Sequence, residues 1–206
     1  MNIILPDDID RLSPIIMLVI TILLTINNKL PFYYIINYLL NDLINKFLKN
    51  KIFKPIMGNN DFNIFGKGTR PDGAINCGLF REDFFDSSVV PQLATSYGFP
   101  SGHAQSSGFF ATFIHENFKN IPLIYYPLML YSLYIPYTRL KLGCHTIQQV
   151  IVGYIYGIMF YYILEGAYKL LINGIYYIKN RKEINKKNKI LNKPIVDESD
   201  DGYISV

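Results

Sequence analysis

The chain has 206 residues, room for one ordinary domain or one compact membrane bundle. Half of the residues are hydrophobic and 17% are charged, with a mean hydropathy of +0.16, which excludes a disordered or collagen-like chain. The net charge of +4 does not mark a nucleic-acid binder, because it is gathered at one end: residues 121–178 hold only Arg139, Lys141, Glu165 and Lys169, whereas residues 179–193 hold seven Lys or Arg and one Glu.

The first apolar run, residues 12–26, is uncharged and approaches the length of a span if Asn27 and Asn28 lie at the interface. Asp7, Asp8 and Asp10 precede it in place of a basic segment, and no small-residue cleavage site follows, so a cleaved signal peptide is disfavoured. Residues 32–48 carry Asn37, Asn41, Asp42 and Asn45 at three- and four-residue spacing, a polar face that in lipid must meet other helices or a wet cavity. Residues 49–100 scatter Gly, Asn, Asp, Arg and Pro and are expected to form a long extramembrane loop, a feature that usually carries function. Three more apolar segments follow: residues 104–114, residues 121–138 with Pro122, Pro127 and Pro136, and residues 145–172. In the last, Gly153 and Gly157 form a small-residue stripe that permits close helix approach.

The expected fold class is all-α: an integral-membrane, multi-pass helical bundle of about five spans over residues 1–178, with loop 49–100 outside the membrane. A solvated tail, residues 179–206, is basic to Lys193 and then acidic through Asp197, Glu198, Asp200 and Asp201. By the positive-inside rule the tail is cytoplasmic, and loop 49–100 and the link from Arg139 to His145 share the opposite face. Cys77 and Cys144 cannot build a disulfide framework, and no Cys/His cluster has zinc spacing, so neither a metal nor a cofactor is expected. One bridge between the two cysteines is open if both face an oxidising compartment.

Three clusters lie where a span meets the same aqueous face. They are Gly66-Lys67-Gly68-Thr69-Arg70-Pro71, Gly98-Phe99-Pro100-Ser101-Gly102-His103, and Thr138-Arg139 followed by His145 and Gln149. Singly, each has an ordinary account as a loop, a turn with a helix N-cap, or a snorkelling arginine. Jointly they describe an anion site. Arg70 and Arg139 offer planar forks for phosphate oxygens, and the Ser101-Gly102 turn offers backbone N–H donors at a helix N-terminus. His103 and His145 supply a nucleophile and an acid/base for neutral pH. Such a set, without metal ligands, favours phosphoryl transfer through a covalent phosphohistidine.

On these residues the chain resembles the type 2 phosphatidic acid phosphatases, which share their fold with the vanadium haloperoxidases. The family pattern is Lys-x6-Arg-Pro, then Pro-Ser-Gly-His, then Ser-Arg-x5-His-x3-Asp. Pro100 to His103 reproduce the second element, and Thr138-Arg139-x5-His145-x3-Gln149 keeps the spacing of the third. The first element is stretched: Ile56 takes the arginine position counted from Lys49, and Arg70-Pro71 comes fourteen residues later, as an insertion would produce. Lys49 is the preferred phosphate lysine and Lys67 the runner-up. Gln149 in place of Asp is similar to the dolichyl-diphosphate phosphatase and glucose-6-phosphatase branches, and Gln105 also fits the dolichyl pattern.

The resemblance implies that His145 attacks phosphorus, that Lys49, Arg70, Arg139 and the Ser101/Gly102 turn hold the oxygens, that His103 protonates the leaving group, and that Gln149 orients His145. The function expected is a metal-independent membrane phosphatase for a lipid phosphate or polyprenyl diphosphate, with its active site on the non-cytoplasmic face and no nucleic-acid partner. The alternative is a catalytically inactive relative that binds anionic lipid or scaffolds a membrane assembly. Outside the site, His115 reads as an interfacial residue, and Glu165 as the partner of Lys169 one turn on.

Overall fold

The computed structural model describes residues 6–62, 64–80, 91 and 93–191, and among them the chain is mostly helical. A short helix, α1 (Pro6–Arg11), leads through Leu12 into α2 (Ser13–Asn27). Lys29, at a φ of 52°, turns the chain back into α3 (Tyr33–Phe47). The loop expected from residue 49 begins later than that, because α3 runs on through a π-helical stretch, Leu48–Phe53, and a last turn, α4 (Lys54–Met57). Apolar side chains hold this extension: the Phe53 ring meets Phe99 and Tyr156 at 4.7 and 6.0 Å, and Met57 is buried. Gly58, at a φ of 53°, ends it.

The loop contains a small hairpin outside the all-α expectation, β1 (Asp61–Phe62) antiparallel to β2 (Gly66–Lys67). Farther along, Ile75 pairs with Leu93, and the Ala94 N–H donates to the Ala74 carbonyl at 2.8 Å, tying the two limbs of the loop together. Then come α5 (Gly102–Phe118), α6 (Pro122–Lys141) and α7 (Ile147–Leu191).

Helix α5 is the centre of the bundle, and every residue from Ala104 to Ile114 is buried. Its Phe109, Phe110, Phe113 and Ile114 pack with Met17 of α2, Tyr34 and Tyr38 of α3, and Tyr161 of α7. A Cβ on Gly108 would strike the Tyr154 backbone, and one on Gly157 would strike the Gln105 carbonyl, so α5 and α7 touch backbone to backbone as the glycine stripe predicts. The polar face of α3 turns inward: the Asn45 Nδ2 donates to Gln105 Oε1 at 2.8 Å, and the Gln105 Nε2 donates to Asn41 Oδ1 at 2.9 Å. Asp42 instead faces out and pairs with Lys46 at 2.8 Å.

Among the described residues one helix, α7, is long and apolar enough to cross a bilayer, over Ile147–Asn185, whereas α2 is apolar but has 15 residues. A helix of that length spans about 22 Å of a hydrocarbon layer of about 30 Å. Helix length and hydropathy therefore leave the expectation of about five spans unconfirmed. Inside the bundle, α3 and α5 spend residues on mutual hydrogen bonds that lower their hydropathy.

The chain divides into two compact units after Leu164. The first holds the bundle. The second is the remainder of α7, in which the Lys169 Nζ lies 3.2 Å from Glu165, the pairing expected from the spacing. Helix continues across residue 178 to Leu191, so the first part of the expected solvated tail is helical. Its acidic part, in residues 192–206, lies outside the described residues.

Candidate active site

The helices alternate in direction, so α3 ends, α5 begins, α6 ends and α7 begins at one end of the bundle. Between them lies a cavity of about 460 Å³ whose polar lining includes Lys49, Arg70, Ser96, Gly102, His103 and His145. Pro14, Ile15 and Leu18 of α2 and Tyr38 and Leu39 of α3 give it an apolar wall.

Gly143, at a φ of 62°, turns the chain between α6 and α7 and sets His145 one helical turn before Gln149. The Gln149 Nε2 donates to two carbonyls, Lys67 O at 2.8 Å and Thr69 O at 2.6 Å. The amide orientation is thereby settled, and its oxygen faces His145 Nδ1 at 2.9 Å. An amide oxygen can only accept, so Nδ1 carries the ring proton and Nε2 presents its lone pair. That lone pair meets Arg70 NH1 at 3.1 Å. Burial, then the charges of Arg70, Lys49 and Arg139, push the His145 pKa well below the usual imidazole range, so the ring is neutral and nucleophilic near pH 7.

Arg70 is clamped from two sides. Its Nε donates to Ser96 O at 3.0 Å, its NH2 to Ser96 Oγ at 2.8 Å, and its NH1 to Cys144 O at 2.9 Å. Burial lowers its pKa to about 10. The π-helical stretch brings Lys49 to the same cavity, and such irregular turns recur at functional sites. Burial first, then the charges of Arg70 and Arg139, bring the Lys49 pKa down to about 7.

Arg139 is fully buried, and its NH2 donates to Cys77 O at 3.1 Å. Its Nε and NH1 have no partner among the described residues. A buried guanidinium with two idle donors is costly unless an anion completes it. The cysteine pairing left open by composition is made: Cys77 and Cys144 are disulfide-bonded, with Cα atoms 5.6 Å apart.

Ser101 caps α5, its Oγ accepting from Ala104 N at 3.4 Å, while its own N–H donates to Gln149 O at 3.0 Å. The Ser101 N–H expected in the anion cradle is therefore occupied. Helix geometry leaves the N–H groups of Gly102 and His103 without an intrahelical acceptor. The His103 Nε2–H donates to Arg11 O at 2.9 Å, which leaves Nδ1 as the nitrogen free to exchange a proton.

Lys67, the runner-up phosphate lysine, does not line the cavity: its Nζ sits 3.4 Å from Asp72 on the loop surface, and only its carbonyl serves the site. Gln105 lies below the cavity, fully buried in the bond to α3. His115 is exposed at the other end of α5, with Nδ1 3.2 Å from the Tyr125 hydroxyl, away from the cavity. Sequence reasoning missed Ser96, the Arg11 carbonyl and the carbonyls of both cysteines. Ser96 sits in a loop of ordinary composition and the others act through backbone atoms, so no side-chain pattern could have marked them.

The PAP2 superfamily model matches residues 30–170. No curated protein and no solved structure is similar enough to the chain to match significantly.

Proposed function

The chain belongs to the PAP2 superfamily, and from that membership we propose that it is a metal-independent membrane phosphatase acting on a lipid phosphate or polyprenyl diphosphate. The observation that carries this reading is the chain of bonds from the carbonyls of Lys67 and Thr69 through the Gln149 amide to His145 Nδ1–H, which leaves Nε2 bare in a cavity rich in cations.

In this mechanism the His145 Nε2 lone pair attacks phosphorus in line, and the bond from phosphorus to the leaving oxygen breaks. Arg70 swings its NH1 from the ring to a phosphoryl oxygen, while Lys49, the idle donors of Arg139 and the N–H groups of Gly102 and His103 take the others. His103, entering the step protonated at Nδ1 as well as at Nε2, gives the leaving oxygen the Nδ1 proton. It then accepts a proton from the water that opens the phosphohistidine, and phosphate departs with His145 restored. Losing one such donor typically costs about a hundredfold in rate.

The lipid preference draws on the apolar wall from α2 and α3, which offers a hydrocarbon chain a course beside the phosphate. The polyprenyl diphosphate reading draws on Gln149. A bilayer setting of about five spans draws on the alternating helices, and a cytoplasmic tail with the site on the opposite face draws on the basic residues past 178.

The test is phosphate release from dolichyl diphosphate, undecaprenyl diphosphate, phosphatidate and glucose 6-phosphate by the full chain in detergent with EDTA present. Release from a lipid substrate that is lost in His145→Ala is expected. Equal release by the variant overturns the mechanism. Lipid binding without release from any substrate favours the inactive, lipid-binding alternative, for which the contact of Arg70 on the His145 lone pair is the motivating observation.

A further inference from the structure

We infer that the Cys77–Cys144 disulfide is a positioning element of the anion site, holding the loop layer that carries Arg70 and Ser96 against His145, so that the site takes its anion only while the bridge is intact. The two cysteines do more than join two segments. Arg70, from the loop, donates to the carbonyl of Cys144 on the link, and Arg139, from the end of α6, donates to the carbonyl of Cys77 in the loop. The contacts are crossed: each guanidinium is aimed by the cysteine of the opposite segment, so separating the segments disturbs both at once.

The described limbs of the loop would move there together. Ile75 pairs with Leu93, the Ala94 N–H bonds Ala74 O, and Ser96, two residues beyond Ala94, holds three donor contacts from Arg70. Hydrophobic grip at this point is slight, since among the described residues the two cysteines cluster with Ala74, Ala94 and Leu142, small or partly buried groups. The far limb of the loop is seated on the bundle by Tyr97 and Phe99, which pack with Met57, Phe53 and Val152, while the main bundle core takes in no described loop residue. On the Cys77 side the covalent bond therefore carries the constraint, closing a sequence separation of 67 residues. On the other side of Arg70 the Gln149 amide still holds the carbonyls of Lys67 and Thr69, so opening the bridge loosens the layer without detaching it.

A dithiol reductant opens the bridge by exchange. Two electrons and two protons pass to the sulfurs, leaving Cys77 and Cys144 as thiols and the reagent as its cyclic disulfide. The inference rests on the phosphatase reading only where hydrolysis is the readout. Tungstate binding and phosphate release are therefore both measured on the full chain in detergent. Three states are compared: oxidised, reduced and alkylated with the two added groups verified by mass, and the Cys77→Ser/Cys144→Ser double variant.

The expected result is that tungstate affinity falls about tenfold or more on reduction, the scale for misaligning one or two charge-assisted bonds. Helical content should hold, affinity should return when unalkylated reduced protein is reoxidised with diamide, and the double variant should match the reduced protein and ignore the reductant. If the variant does not accumulate, the reduced and alkylated chain carries the comparison. Affinity within about twofold across verified redox states overturns this inference and leaves the phosphatase reading standing. Loss of helical content on reduction also overturns it, making the bridge a general staple. Redox-dependent tungstate binding without hydrolysis of any substrate supports it while overturning the phosphatase reading. An oxidised chain that neither binds tungstate nor releases phosphate overturns both, and one that releases phosphate without binding tungstate overturns this inference alone.

Discussion

At residue 149 an amide suits its surroundings better than the carboxylate of the family pattern. Its NH2 faces two carbonyl oxygens and its oxygen faces a ring N–H. A carboxylate there would set negative charge against the Lys67 and Thr69 carbonyls. Gln149→Glu is therefore expected to lower stability by about 1–3 kcal/mol, the usual cost of stranding buried acceptors, and to keep measurable kcat because an ionised carboxylate still accepts the His145 Nδ1–H. Thermal unfolding together with steady-state kinetics checks both. Lys49 gives the pH dependence. Its pKa of about 7 lies below the ordinary 10.5, so between those values the folded chain binds fewer protons than the unfolded one, and the stability of the empty site rises with pH. Anion binding runs the other way, because an anion needs the ammonium form: tungstate affinity should be full below about pH 7 and fall by up to about tenfold per pH unit above it. Lys49→Met should bind more weakly and flatten that limb, and an unchanged profile in the variant would assign the limb to another group.

At the scale of elements, the crossing of α5 and α7 decides whether the site can close. Ser101 lies at the start of one helix and Gln149 at the start of the other, and their backbones bond directly. Gly108 and Gly157 let the helices touch below that bond. A side chain at 157 must push a backbone carbonyl aside, so Gly157→Val should cost about 1–3 kcal/mol as overpacking and reduce phosphate release. Gly174→Ala, where nothing lies within 4 Å, should be neutral or gain up to about 1 kcal/mol in helix propensity. Chemical denaturation of the two variants side by side makes the comparison. These elements were largely legible in the sequence, because the apolar stretch 104–114 and the 153/157 stripe record packing that is local to one helix. The continuation of α3 to Met57 was not, because its lysines and asparagines read as loop until Phe53 and Met57 find partners near Phe99.

For the whole molecule, the topology places Gly102 of α5 at the site and Phe118 at the far end, where Asn117 meets Tyr161 and Glu116 meets Tyr162. If the bundle crosses a bilayer, Asn59→Cys and Asn120→Cys, each in a Cys77→Ser/Cys144→Ser background, should label with an impermeant maleimide from opposite sides of sealed vesicles. Labelling of both from one side would remove the membrane-spanning arrangement. The sequence by itself determined the family of this protein and the residue types from which the proposed site is drawn, two histidines, two arginines and a helix-opening Pro-Ser-Gly-His, since those types and intervals are written locally. Only the tertiary structure decided that Lys49 and not Lys67 reaches the cavity, which ring nitrogen of His145 is bare, and that the cysteine carbonyls hold the arginines. Each of these depends on where a distant backbone atom comes to rest, and hydrogen bonds to carbonyls leave no mark in the order of side chains.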